Sequence, residues 1–111
     1  MLAGIHVQGT AAQTGEGSNT VLAAAGAANR YHIDRVLISI NTHQDTGLVS
    51  VSDGATVFVP SFLAKDDNGS LFCIDFGPYG WVSELNATIS IVVEVAAVGC
   101  ACTVIGRRVE G

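Results

Sequence analysis

Histidines, cysteines and a short acidic loop are the residues whose types admit chemistry here. The histidines are His6, His32 and His43. A histidine base needs a nucleophile or a metal partner at a defined spacing, and none of the three sits in a GxSxG or HExxH pattern. Three histidines with Glu84 or Glu94 could ligate a metal in a cupin-like enzyme, but the compact His-x-His spacing of such sites is missing. His32 is out of phase with Tyr31 and Ile33, which makes it a surface or interface histidine. The serines lack a surrounding motif that would supply a base and an orienting acid. The expectation is a protein without catalytic activity.

Cys73, Cys100 and Cys102 are an odd number, unsuited to a disulfide scaffold. Cys100-x-Cys102 puts two sulfurs on one strand face, about 7 Å apart, which is poor geometry for one metal ion. Both read as buried apolar side chains. Lys65-Asp66-Asp67-Asn68-Gly69-Ser70 lacks the spacing and the final glutamate of a calcium loop, so it reads as a solvated turn. Gly15-Glu16-Gly17 has no GK[ST] after it and is not a phosphate loop. No cofactor and no metal site is expected.

The elements that carry these residues repeat with a period of two. From 86 to 96, Ala87, Ile89, Ile91, Val93 and Val95 share one face, while Asn86, Thr88, Ser90 and Glu94 fall mostly on the other. That alternation predicts a long half-buried strand. From 30 to 40, Tyr31 and Ile33 share one parity and Val36, Ile38 and Ile40 the other, so a β-bulge is predicted near Asp34 and Arg35. Weaker strands are predicted over 2–8, 20–25, 47–52, 55–59, 71–76 and 100–105. Asp53-Gly54 is a hairpin signal, and Pro60 ends its return strand or marks an edge. Gly26 and Asn29 close a turn, and Gly77-Pro78-Tyr79-Gly80 forms a corner before Trp81. Val98-Gly99 reads as a tight connection. Phe72 and Phe76 share a parity with Ile74 and form a core stripe. The sum is an all-β sandwich of about eight short strands, with jelly-roll or related Greek-key connections.

Composition bounds what such a domain does. The 111 residues suit one domain, with 49% hydrophobic residues against 14% charged. Five basic residues face ten acidic ones, and only Arg107 and Arg108 are adjacent, which argues against nucleic acid. No apolar run is long enough for a membrane helix. Each charged residue would serve roughly 380 Å² of folded surface. So few charges imply that part of this surface is covered by a partner or by copies of the same chain. Met1-Leu2-Ala3-Gly4 has neither the basic start nor the apolar run of a signal peptide, and with the cysteine count this points to synthesis in a reducing compartment.

The N-terminal region stands apart. Residues 9–19, GTAAQTGEGSN, are small and polar. They read either as a mobile tether or as a long loop inside the sandwich. The tether reading divides the chain into an arm and tether over 1–19 and a β-sandwich domain over 20–111. Deleting residues 1–12 would then leave the fold intact.

The runs VLAAAGAANRYHIDRVLISI, VSVSDGATVFVP, GSLFCIDFGPYGW and ATISIVVEVAAVGCACTVIG resemble the small jelly-roll proteins that decorate, or cement, the capsids of tailed bacteriophages. The resemblance spans residues 21–106. The turn and corner positions that carry it are Gly26, Asp53, Gly54, Gly77, Pro78, Trp81 and Gly99. It implies a virion protein on the outer capsid surface, made in the bacterial cytoplasm, that stabilises the shell by bridging major capsid protein subunits. It also implies self-association, with a trimer ranked ahead of a dimer. Contact with the shell or between copies is expected from the arm residues Leu2, Ile5 and Val7 and from Phe62, Lys65, Asp66 and Asp67. The alternatives are a phage tail fibre or adaptor, and a glycan-binding β-sandwich module.

Overall fold

The computed structural model describes residues 4–43, 48–63, 71–94 and 98–110. Among these residues nine strands make two antiparallel sheets: β1 (Ile5–Thr14), β2 (Gly17–Leu22), β3 (Asn29–His43), β4 (Leu48–Ser52), β5 (Val57–Leu63), β6 (Leu71–Asp75), β7 (Trp81–Val82), β8 (Ile89–Val93) and β9 (Val98–Glu110). The first sheet has the order β1-β9-β3-β6, with β7 also paired to β3; the second has the order β2-β8-β4-β5. The fold is an all-β sandwich, as the period of two predicts. No helix among the described residues is long and apolar enough to cross a membrane.

Alternation decides which side chains meet. Ile38 and Ile40 of β3, Val49 and Val51 of β4, Ile89 and Ile91 of β8, and Cys102 and Val104 of β9 are all buried between the sheets. The pairing of β3 with β9 shifts register between Ile33 and Arg35, which is the predicted bulge. The extra residue lets Ile33 and Val36 both face inward despite opposite parity, and both are fully buried. Opposite the bulge the backbones crowd. A Cβ on Gly106 would fall 2.3 Å from the His32 carbonyl oxygen, so glycine is required there.

The N-terminal region corrects the expectation of a tether. All ten residues of β1 pair with β9, from Ile5 opposite Arg108 to Thr14 opposite Gly99. Residues 17–22 then form β2, paired with β8. Alanine, glycine, threonine and glutamine look flexible by composition, but here they fit where strands pack closely. A Cβ on Gly9 would lie 2.1 Å from the Val21 carbonyl oxygen, so only glycine lets β1 approach β2 this tightly. Asn19 Nδ2 donates to the Ala12 carbonyl, 2.8 Å away, tying the two strands together. Val7 and Ala11 pack against the core. Deleting residues 1–12 would therefore strip a paired strand and core contacts, contrary to the sequence expectation.

Three further boundaries move. Gly99 lies inside β9, opposite Thr14 and Thr42, and does not form a turn. Strand β8 starts at Ile89 rather than 86, because Asn86 takes a left-handed conformation (φ 57°) and turns the chain. Pro60 falls within β5, an outer strand, at a register shift against β4.

Candidate functional site

Three surfaces present themselves, and each is built by strand register. The first is the outer face of the first sheet. Pairing aligns Ala12, Ala101, Ser39 and Leu71 in one row across β1, β9, β3 and β6. The next outward row is Thr10, Thr103, Leu37 and Cys73, in which the Thr10 and Thr103 hydroxyls lie 3.0 Å apart. Neither row carries a charged side chain. Charge returns only in the third row, Gln8, Ile105, Arg35 and Asp75. Chemically this is a patch of aliphatic groups, small hydroxyls and one thiol, suited to contact with another protein.

The second surface is a polar hollow of about 600 Å³ lined by Gly4, His6, Asp34, Arg35, Asp75, Gly77, Pro78 and Arg107. Arg107 Nη2 donates to Asp34 Oδ1 at 2.8 Å, and the Asp75 carboxylate accepts from Gly77 N, also at 2.8 Å. The acids are thus engaged by neighbouring donors, and none of the lining side chains is a serine or cysteine nucleophile. Tyr79, 69% exposed, follows directly on this hollow's Pro78.

The third is an apolar groove of about 640 Å³ lined by Phe58, Val59, Leu71, Phe72, Cys73, Ile74 and Phe76. It runs where the outer strands β5 and β6 of the two sheets come together. Phe58 stacks on Trp81, with ring centroids 4.2 Å apart and planes 12° apart, and meets Phe76 at 5.8 Å and 55°. The core stripe of Phe72, Ile74 and Phe76 is therefore real, and it is half-buried against the core. Trp81 closes the sandwich through Phe58.

The turn residues are placed as follows. Gly26 (φ 109°), Gly54 (φ 94°) and Gly77 (φ 85°) take left-handed conformations at chain reversals. Asp53 does more than start a turn. Its buried carboxylate accepts from Ala55 N at 2.9 Å, Thr56 N at 2.6 Å and Glu84 N at 3.2 Å, fastening the β4–β5 turn to the segment after β7. Sequence reasoning missed the third of these bonds. It also missed Ser83, buried, which accepts from Tyr31 N at 2.9 Å and donates to the Glu84 carbonyl.

The described members of the expected contact set, Ile5, Val7 and Phe62, do not form one cluster. Ile5 is 60% exposed at the start of β1, whereas Val7 is taken up by the core. Phe62 is carried by β5, in the other sheet and on the opposite flank. Leu2, Lys65, Asp66 and Asp67 lie outside the described residues.

Cys100 and Cys102 are buried on the inner face of β9. Burial raises both thiols, and Cys102, next to Cys100, is pushed up to about 12. Their sulfurs are poor nucleophiles at neutral pH. Cys73 is exposed on the outer face, on the far side of the sheet from the other two. No group of three or more His, Cys, Asp or Glu side chains that could hold a metal ion occurs among the described residues.

No known protein family matches the sequence, and none of the curated proteins does. The fold has a solved counterpart. A chain from the acid-stable capsid structure of the Helicobacter pylori bacteriophage KHP30 is similar at TM-score 0.68 and 12% identity, covering 99% of this chain and 97% of that one. A chain from the disulfide-linked pili of Bacillus endospore appendages matches at TM-score 0.49 and 15% identity, over 97% of this chain and 90% of that one. A chain of infectious bursal disease virus, Gx strain, matches at TM-score 0.38 and 15% identity, over 97% of this chain but 30% of that one. The KHP30 likeness runs the full length of both chains and shows a shared fold, that of a chain found in a phage capsid.

Proposed function

We propose that this chain is a structural protein of a bacteriophage virion. It binds the outer surface of the capsid and stabilises it by bridging major capsid protein subunits, and it associates with copies of itself. The observation that carries the reading is the uncharged outer face of the first sheet, two rows deep and four strands wide. Such a face loses little on desolvation, because it has no ions to strip of water. The full-length likeness to a chain of a phage capsid structure supports the same role.

The mechanism is mass action. A protein that binds assembled shell but not free subunits stabilises the assembly. Many copies, each touching neighbouring subunits, add avidity.

The test is co-sedimentation with shells freed of this protein. Wild type is expected to bind saturably and to raise the temperature at which the particle releases DNA. Thr103→Glu puts a carboxylate in the middle of the face and is expected to weaken binding at least about tenfold. Wild type that stays in the supernatant would overturn the reading. A second reading, a glycan-binding module, draws on exposed Tyr79 beside the polar hollow. Binding on a glycan array that Tyr79→Ala abolishes would favour it.

A further inference from the structure

Among the described residues the two strand orders have four ends, three of them guarded, and the two-residue β7 also lies outside β3. On one flank β1 and β2 cover each other, through the Gly9 approach to Val21 and the bond from Asn19 to the Ala12 carbonyl. On the other flank β5 carries Pro60, which has no N–H to offer, at an irregular register. Strand β6 has none of these devices. Its sequence, Leu71-Phe72-Cys73-Ile74-Asp75, holds no proline, no lysine and one charge. That one carboxylate is turned back onto Gly77 N. Among the described residues β6 is the terminal strand of its sheet, paired only with β3. The apolar groove wraps it, since outward-facing Leu71 and Cys73 line that groove together with inward-facing Phe72 and Ile74.

We infer that β6 pairs antiparallel with β6 of a second copy about a twofold axis at Cys73, joining the two first sheets into one continuous sheet. The open edge and the five-residue length of β6 fit this partner. An antiparallel pair of identical strands is self-complementary. Only the axis at Cys73 pairs all five residues of the strand, with Leu71 opposite Asp75, Phe72 opposite Ile74 and Cys73 opposite its own mate. Main-chain bonds supply the pairing, and the groove walls supply apolar burial. The two uncharged outer faces then form one surface twice as wide, fit to span neighbouring shell subunits. The inference deepens the self-association part of the proposed function and rests on it; it favours a pair over the trimer ranked first from sequence. A five-residue strand contact sits at the small end of specific interfaces, below about 1,200 Å², so the free protein is expected to pair at micromolar concentration.

The experiment uses the full chain without shells. Directly opposed Cα atoms in an antiparallel pair are about 4.5–5.5 Å apart, within disulfide reach. Oxidised glutathione takes the two electrons and two protons of the Cys73 thiols and leaves as two reduced molecules. Sedimentation at about 100 µM, well above a micromolar Kd, is expected to show a dimer. Oxidation is expected to lock that dimer through a Cys73–Cys73 bond, seen by peptide mass spectrometry. Cys73→Lys sets like charges face to face at an exposed position and is expected to leave a folded monomer. A dimer or trimer that forms no Cys73–Cys73 bond and survives Cys73→Lys would overturn this pairing and leave self-association standing. A monomer at every concentration would overturn both. In a second arm with shells added, cross-linking of Cys73 to a shell protein by a chain otherwise monomeric would give the edge to a different occupant and overturn the pairing as well.

Discussion

Arg107 reaches across from β9 to hold Asp34, the residue at the β3 bulge, with Nη2 2.8 Å from Oδ1. The bulge and the basic residue opposite it are one device. The extra residue in β3 re-aims the inward set, and the ion pair fastens the displaced carboxylate to the neighbouring strand. Both side chains keep partial solvent contact, 23% and 34% exposed, so the pair is screened. Arg107→Ala is expected to cost about 1 kcal/mol, lowering Tm by about 4–8 °C in a domain of this size. Thermal unfolding followed by circular dichroism checks it, and an unchanged Tm would mean that the bulge holds without the pair.

The buried Asp53 carboxylate should matter more. It accepts from three backbone amides, those of Ala55, Thr56 and Glu84. Asp53→Ala leaves those donors without an acceptor and is expected to cost about 3 kcal/mol. Asp53→Asn keeps part of the set and should fall between. Urea titration orders the three proteins, and equal midpoints would contradict the role assigned to Asp53.

Two glycines separate crowding from backbone strain. Gly106→Ala drives a Cβ into the His32 carbonyl, 2.3 Å away, and is expected to cost about 2–3 kcal/mol. Gly54→Ala meets nothing within 4 Å, but it must hold φ at 94°, a cost of about 1–2 kcal/mol. If Gly54→Ala proves the more damaging, the close approach of β3 to β9 is misread.

Much of this was legible in the sequence because side chains sort by strand parity. The parity slip between Ile33 and Val36 located the bulge, and Asp53-Gly54 located a hairpin. The N-terminal strand was illegible for a physical reason. Residues 9–14, GTAAQT, show no apolar alternation, since the inward positions after Val7 are Gly9, Ala11 and Gln13 and the space beside Gly9 is filled by backbone. An isolated glycine amid residues able to form a strand was the available signal, at Gly9 as at Gly106. The outer face was hidden too. Its rows draw one residue from each of four strands, so they exist only once register is known.

The thiols divide by face. A thiol reagent at pH 8 is expected to modify Cys73 at once and Cys100 and Cys102 only on unfolding, because both are buried. Their raised pKa also links stability to pH. Burial favours the neutral thiol in the folded state, so the folded protein holds the Cys102 proton more tightly than the unfolded chain. That stabilisation is complete below the ordinary value of 9.0 and is lost as pH rises through about 12. Urea midpoints should fall across that window, and less steeply in Cys102→Ala. An equal slope in both proteins would contradict the assignment.

Whether this chain sits on a capsid surface is decided by its copy number. Particles purified from the source would be digested, and this chain quantified by mass spectrometry against the most abundant shell protein. Abundance close to that of the shell subunit is expected. Absence from the particle, or a count lower by tens of times, would contradict it.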